Sequence, residues 1–158
     1  MAGAEEGQLA WGGTTRPEVL KRCSRNGHEL VFASDRFRDD RDIVMAAVLK
    51  YGYAIRVASE RLQGDKEIAL AAVAHHGHCL RWCSTELKKD PEVVLAAVAT
   101  NRDALNHADE GLLEDAPFML QACQVNKYVV DLMNKDQRFH NLRQNQEFMA
   151  AAQALIWI

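Results

Sequence analysis

The stretch that decides the fold is Asp65–Val73, with the sequence Asp-Lys-Glu-Ile-Ala-Leu-Ala-Ala-Val. Close copies occupy Asp40–Val48 and Asp90–Val98, and a looser copy occupies Asp115–Cys123. The first residues of these four stretches are each 25 residues apart. A fixed period of this length is typical of a protein built from tandem copies of one supersecondary unit.

The period divides the chain into five units and a remainder. One further step toward the N-terminus gives a first unit from Thr15, in which Asn26-Gly27 aligns with Tyr51-Gly52. The predicted units are 15–39, 40–64, 65–89, 90–114 and 115–139. Residues 1–14 are interpreted as a flexible tail, and residues 140–158 as a degenerate sixth unit, displaced by a five-residue insertion, that forms a C-terminal helix.

Each unit is predicted to contain two short helices. The first begins after a residue that caps helices well, namely Thr15, Asp40, Asp65, Asp90, Asp115 or Asn145. It is apolar on nearly every side, so it belongs to a buried inner layer. Gly52 and Gly77 are expected to end it in the left-handed conformation, with Asn101 and Asn126 in that role later.

The second helix of each unit is predicted from apolar residues at spacings of three and four, as in Ile55, Ala58 and Leu62. The alternation typical of strands is missing from the sequence. We therefore expect an all-α fold, an α-solenoid of about five helical-hairpin repeats of 25 residues plus a C-terminal helix.

The repeated pattern resembles a known family. Asp-x-Glu-Ile/Val-x-Leu-Ala-Ala-Val, then Gly, then Leu-x-x-Ala/Cys-Ser-x-x-Leu, is similar to the repeats of the domain-of-unknown-function 4116 family. The similarity covers roughly 15–139 and weakens after Asn101 and again at Gln137, where the glycine and a leucine are lost. The resemblance implies an α-helical repeat and, by the family's own name, no known activity.

Composition excludes some classes of protein. The net charge of −3 favours neither nucleic acid nor an anionic membrane, and no apolar run is long enough to span a bilayer. The first fourteen residues resemble no targeting signal. When the units are aligned, each set of equivalent positions forms a column. The four cysteines fall in columns that hold small apolar residues in other units, which is typical of buried, reduced thiols. We therefore expect a reducing intracellular compartment, with the cytoplasm favoured.

The repeat frame argues against two chemical sites. His75, His76, His78, Cys79 and Cys83 could suggest zinc, but both cysteines fall in columns that face the core. A nucleophilic pair such as Cys79 with His107 is equally unsupported. We predict no catalytic residue, no cofactor and no metal.

The column that opens the second helix is the strongest candidate for partner binding. It contains His28, Tyr53, His78, Asp103 and Tyr128, often aromatic, which could form a ridge across the units. Packing over the neighbouring turn is an equally good account of these residues. Trp11 in the tail is a further candidate anchor.

The C-terminal segment 148–158 is the other candidate surface. It is apolar on all sides and no second helix follows to cover it, so Phe148, Leu155 and Trp157 are predicted to bind a protein partner or a second copy of the chain. Folding back as a cap on the fifth unit is the alternative.

These observations favour a non-enzymatic protein-interaction module or a structural subunit of a larger assembly. An RNA-binding helical repeat is the alternative, although the basic stripe expected for it is missing, since Arg36, Arg38 and Arg41 alternate with aspartates and resemble a solvated loop. An enzyme of unknown class comes third.

Overall fold

The computed structural model describes residues 14–155, which are helical and contain no strand. The α-helices are α1 (Arg16–Arg25), α2 (Asp35–Arg38), α3 (Arg41–Val48), α4 (Glu60–Gln63), α5 (Lys66–His75), α6 (Pro91–Thr100), α7 (Glu110–Glu114), α8 (Ala116–Val125), α9 (Val129–Lys135), α10 (His140–Gln144) and α11 (Gln146–Ala154). The 3₁₀ helices are η1 (Gly27–Phe32), η2 (Gly52–Val57), η3 (Gly77–Trp82), η4 (Leu87–Lys89), η5 (Arg102–His107) and η6 (Gln137–Phe139).

The long helices α1, α3, α5, α6, α8 and α11 begin directly after the six capping residues that the sequence predicted. The side chains of Asp40, Asp65, Asp90 and Asn145 accept hydrogen bonds from backbone N–H groups of the first turn. These bonds satisfy donors that a helix start would otherwise leave free. The predicted starts of the long helices are therefore confirmed.

The predicted second helix is wrong in form, because it is broken into a 3₁₀ helix and a separate short helix. Ala58 and Ser59, between η2 and α4, have extended backbones. The break turns the Ser59 N–H toward the preceding segment, where it donates to the Arg38 carbonyl at 2.9 Å. The same bond recurs one period later, between the Ser84 N–H and the Gln63 carbonyl at 3.0 Å. In one continuous helix these N–H groups would donate to carbonyl groups of the helix itself.

The elements form two layers around a shared core. In one layer α1 packs on α3, α3 on α5, α5 on α6 and α6 on α8, while in the other η1 packs on η2, η2 on η3 and η3 on η5. The long helices bury equivalent residues, such as Ile68, Ala69, Ala72 and Val73 of α5. The cysteines are buried as predicted, at Cys23, Cys79, Cys83 and Cys123.

The glycines that follow the long helices are not left-handed, contrary to expectation. The residue before Gly27, Gly52 and Gly77 has an extended backbone, and none of these glycines has a positive φ. Asn101 and Asn126 are extended too, with φ of −156° and −144°. The glycine is needed for close approach instead. A Cβ atom on Gly77 would lie 2.2 Å from the Ala97 carbonyl oxygen of the next long helix.

The C-terminal part departs from the 25-residue period. Here α9 replaces a 3₁₀ helix, and α10 occupies the five inserted residues. Phe139 is fully buried close to the position where the sequence loses its leucine. Helix α11 packs on α8 and α10, with Phe148 and Ala152 buried.

Among residues 14–155, no helix is both long enough and apolar enough to cross a membrane.

Candidate interaction surface

The column predicted to bind a partner lies on the layer of 3₁₀ helices. His28, Tyr53, His78 and Asp103 are each the second residue of a 3₁₀ helix, and Tyr128 precedes α9. His28 and Tyr128 are exposed, and the other three are half-buried. The glycine that opens η1, η2 and η3 is buried, and the residue after it is more exposed.

A row of aromatic rings crosses η1, η2 and η3. The ring centroids of His28 and Phe32 are 6.0 Å apart, and those of His28 and Tyr51 are 5.9 Å apart. Tyr51 and Tyr53 follow at 5.6 Å. These distances are within the range of favourable aromatic pairs.

Two further rings complete the row around Tyr53. Its ring stacks on His76 at 4.8 Å and meets the edge of Trp82 at 5.4 Å. We call the set the aromatic surface; its members are His28, Phe32, Tyr51, Tyr53, His76 and Trp82. Phe32 and Tyr51 remain 46% and 38% exposed, so the row is open to a partner.

A shallow cavity of about 120 Å³ opens in the aromatic surface. It is lined by His28, Val31, Tyr51, Tyr53, Ala54, Arg56 and Trp82. None of these described residues is acidic, and the exposed Arg56 gives the cavity a cationic edge. The cavity therefore combines flat apolar walls with one hydrogen-bonding cation.

Most of the aromatic surface was not predicted from the sequence, because the prediction rested on a single column of the repeat. Tyr51 and His76 stand two residues before Tyr53 and His78, directly before η2 and η3. Asn26, in the same column, instead accepts a hydrogen bond from the His28 N–H at 3.1 Å. Aromatic residues in two columns two positions apart were the available signal.

The other members of the predicted column do not join this row. His78 contacts His107, with centroids 6.0 Å apart. Burial, and then the nearby His78, lower the pKa of His107. Asp103 lies 3.7 Å from Arg102, whose side chain also donates to the Tyr128 carbonyl at 3.2 Å. The predicted ridge is thus joined by ring contacts only in its first half.

A ladder of ion pairs, also missed, runs along the starts of the long helices. A basic residue at the first helical position bonds the capping aspartate of the next long helix and the acid two residues after it. The pairs are Arg16 with Asp40 (2.6 Å) and Asp42 (2.6 Å), Arg41 with Asp65 (2.8 Å) and Glu67, and Lys66 with Asp90 (2.7 Å) and Glu92 (2.8 Å). Arg41 is therefore part of this ladder and not of a solvated loop.

The ladder should make stability depend on pH. The hydrogen bond from Lys66 holds the pKa of Asp90 below its ordinary value, so the pair stabilises the fold above about pH 4 and is lost as the pH falls below it. Lys66→Met should lower the free energy of unfolding only slightly at pH 7, since solvent screens this exposed pair, and by less at pH 2.5. Urea denaturation at both values measures this.

Lys50→Met is the matched control, because Lys50 is an exposed lysine on α3's C-terminal side. It should change stability little at either pH. A Lys66→Met effect that equals the control, or that does not shrink in acid, would show that the ladder does not stabilise the protein.

Comparison with known proteins shows to which family the chain belongs. The model of the family described as "Domain of unknown function (DUF4116)" matches residues 18–63 and 65–113. The chain belongs to the DUF4116 family. No curated protein and no solved structure matches it.

The two DUF4116 matches meet at residue 64, directly before the capping residue Asp65. Each spans just under two periods of 25 residues. All six members of the aromatic surface lie within the matched segments. Arg41 and Lys66 of the ladder lie within them too, whereas Arg16 lies before the first.

The cysteine and histidine cluster of this DUF4116 chain is divided between core and surface. Burial raises the pKa of Cys79 to about 12 and that of Cys83 to about 11, so both thiols stay protonated at neutral pH. His75 and His76 are exposed at the end of α5. Within residues 14–155, no three potential ligands are grouped so that they could hold a metal ion.

The structure places the two described C-terminal candidate residues in different surroundings. Phe148 is only 4% exposed, so it packs in the core, whereas Leu155 is half-buried. Leu155 lines a cavity with Cys123 and Val125 at the end of α8. Trp157 and the N-terminal Trp11 lie outside the described residues, so the predictions made for them remain predictions.

Proposed function

We propose that the chain is an α-solenoid whose five repeats span 15–39, 40–64, 65–89, 90–114 and 115–139, followed by a degenerate sixth. We further propose that it is a non-enzymatic protein-interaction module and that the aromatic surface is its contact face. One observation carries the proposal: a continuous series of ring contacts, from Phe32 to Trp82, stays open at the surface.

The layered packing supports the solenoid. Each long helix contacts the next along the chain, and the 3₁₀ helices η1, η2, η3 and η5 do the same in their own layer. Stacking of this kind is how repeat proteins build an extended binding face from small units.

The chemistry of the aromatic surface supports protein binding. Tyrosine and tryptophan combine a large flat apolar area with a polar tip, and both are enriched among the residues that dominate interfaces. Contacts between the rings already restrict their rotation, so a partner would cost the rings little additional entropy. Tyr53 lies at the centre, since it contacts Tyr51, His76 and Trp82.

Single-stranded nucleic acid is the second candidate, because bases stack on aromatic rings and Arg56 lies beside them. The net charge of −3 and the single guanidinium at the cavity argue against it, since phosphate binding needs several cations along one face.

Differential capture tests the proposal. Tagged wild-type protein and the double variant Tyr51→Ala/Tyr53→Ala are used as baits in extract from the native source, with and without ribonuclease. Tyr128→Ala is the matched control, because Tyr128 is 58% exposed and belongs to the same sequence column. We expect proteins that bind wild type and Tyr128→Ala but not the double variant, with or without ribonuclease.

Circular dichroism of the double variant checks that it keeps its helices. Captured proteins that the folded double variant retains would contradict the assignment of the contact face. Capture that disappears with ribonuclease would support the nucleic-acid candidate instead.

A further inference from the structure

We propose that the aromatic surface binds a proline-rich peptide in the polyproline II conformation, with a peptide carboxylate on Arg56. The inference rests on the proposed function and names the chemistry of its partner. Three features of the surface support it: the size of the cavity, the row of aromatic rings around it and the charge at its edge.

The cavity favours a single small side chain over a whole small-molecule ligand. Its volume of about 120 Å³ is well below the several hundred Å³ that small-molecule sites usually have. Tyr53 and Trp82 form an edge-to-face corner in its wall. A pyrrolidine ring is apolar, compact and rigid, so it would fill such a corner with little loss of entropy.

Proline-rich segments favour the polyproline II helix, an extended form that repeats every three residues and has no internal hydrogen bonds. A peptide in this form has its shape set before it reaches the cavity, so it loses little further entropy on binding.

The ring row provides a surface for successive turns. Tyr51 lies between the outward residues of η1 and η2, with its ring 5.9 Å from His28 and 5.6 Å from Tyr53. Grooves bounded by aromatic rings are a recurring solution for recognition of proline-rich segments, because the preformed helix presents its rings at regular intervals.

The cationic edge determines the polar part of the peptide. Arg56 lines the cavity beside Tyr53, and the described lining residues carry no acid that would compete for it. A guanidinium presents paired N–H donors that fit a carboxylate with two parallel hydrogen bonds. A glutamate on the turn next to the bound proline would supply that carboxylate.

Fluorescence anisotropy with the full chain tests the inference at physiological salt. The probe is a fluorescein-labelled peptide of three Pro-Pro-Glu triplets, whose period equals one polyproline II turn. A peptide of three Ala-Ala-Glu triplets keeps the charge and removes the prolines, and one of three Pro-Pro-Gln triplets keeps the prolines and removes the charge. A twelve-nucleotide oligouridine tests the other class of ligand.

We expect wild-type protein to bind the Pro-Pro-Glu peptide at least tenfold more tightly than the Ala-Ala-Glu peptide and about fivefold more tightly than the Pro-Pro-Gln peptide. Tyr53→Ala should weaken binding at least tenfold, whereas Tyr128→Ala should leave it unchanged. Arg56→Glu changes an exposed residue and should abolish the preference for glutamate over glutamine.

Equal binding of the Pro-Pro-Glu and Ala-Ala-Glu peptides would overturn the inference, as would tighter binding of oligouridine. A lack of measurable peptide binding also overturns it. If protein capture still depends on Tyr51 and Tyr53 in that case, only the peptide chemistry is wrong and the proposed function stands. If that dependence is lost as well, both fail.

Discussion

Gly77→Ala should lower the free energy of unfolding by about 3 kcal/mol, although it adds only one methyl group. The added carbon would lie 2.2 Å from the Ala97 carbonyl oxygen and 2.9 Å from the Thr100 hydroxyl. Real Cβ atoms do not approach other atoms this closely, and a backbone oxygen cannot rotate away. The end of α5 would have to separate from α6, which disturbs the core that both helices bury. Urea denaturation followed by circular dichroism measures the loss.

Gly64→Ala is the matched control. Gly64 has φ of −93°, which any residue adopts, and the nearest atom to an added Cβ is 3.4 Å away. This variant should change stability by less than about 0.5 kcal/mol, or stabilise slightly by restricting the unfolded chain. Equal losses in the two variants would mean that close approach of the helices is not what requires Gly77.

The starts of the long helices could be predicted because their causes are local. An aspartate such as Asp65 reaches backbone groups two and three residues ahead, so its role is readable in the sequence next to it. Burial was also predictable. Ile68, Ala72 and Val73 are apolar in every close copy of the stretch, and the structure buries all three.

The role of the glycines could not be predicted in this way. The space beside Gly77 is limited by Ala97, twenty residues later in the chain, and not by the backbone of the glycine itself. The left-handed expectation came from the local rule for helix ends, which tertiary packing overrode. The broken second helix has the same kind of cause, since Ser59 bonds a carbonyl of the preceding segment.

The candidate site was predicted only in part, for a related reason. Tyr53 was identified because its column is often aromatic, but the contacts of Tyr51, His76 and Trp82 depend on how successive units face each other. The ladder needed the same information. The 25-residue period aligns Arg41 with Lys66 but does not say that the side chains of Arg41 and Glu67 meet.

Phe139→Ala should have the largest effect, lowering the free energy of unfolding by about 4 kcal/mol. The ring is fully buried, and Phe139 is among the largest fully buried side chains of the described residues. The 25-residue period aligns the buried Leu62 and Leu87 with Gln137, two residues before Phe139. Truncation to alanine removes the whole ring and leaves a cavity that the surrounding helices can close only in part.

Two variants control for this prediction. Phe139→Leu keeps a large apolar side chain at this site and should cost less than about 1.5 kcal/mol, because most of the volume stays filled. Phe32→Ala removes the same ring from the aromatic surface, where it is 46% exposed, and should cost less than about 1 kcal/mol. Denaturation curves of the three variants, taken under one set of conditions, should therefore rank Phe139→Ala well below the other two. If Phe139→Ala and Phe32→Ala lose equal stability, burial of the Phe139 ring is not what stabilises the C-terminal elements, and other contacts must hold them.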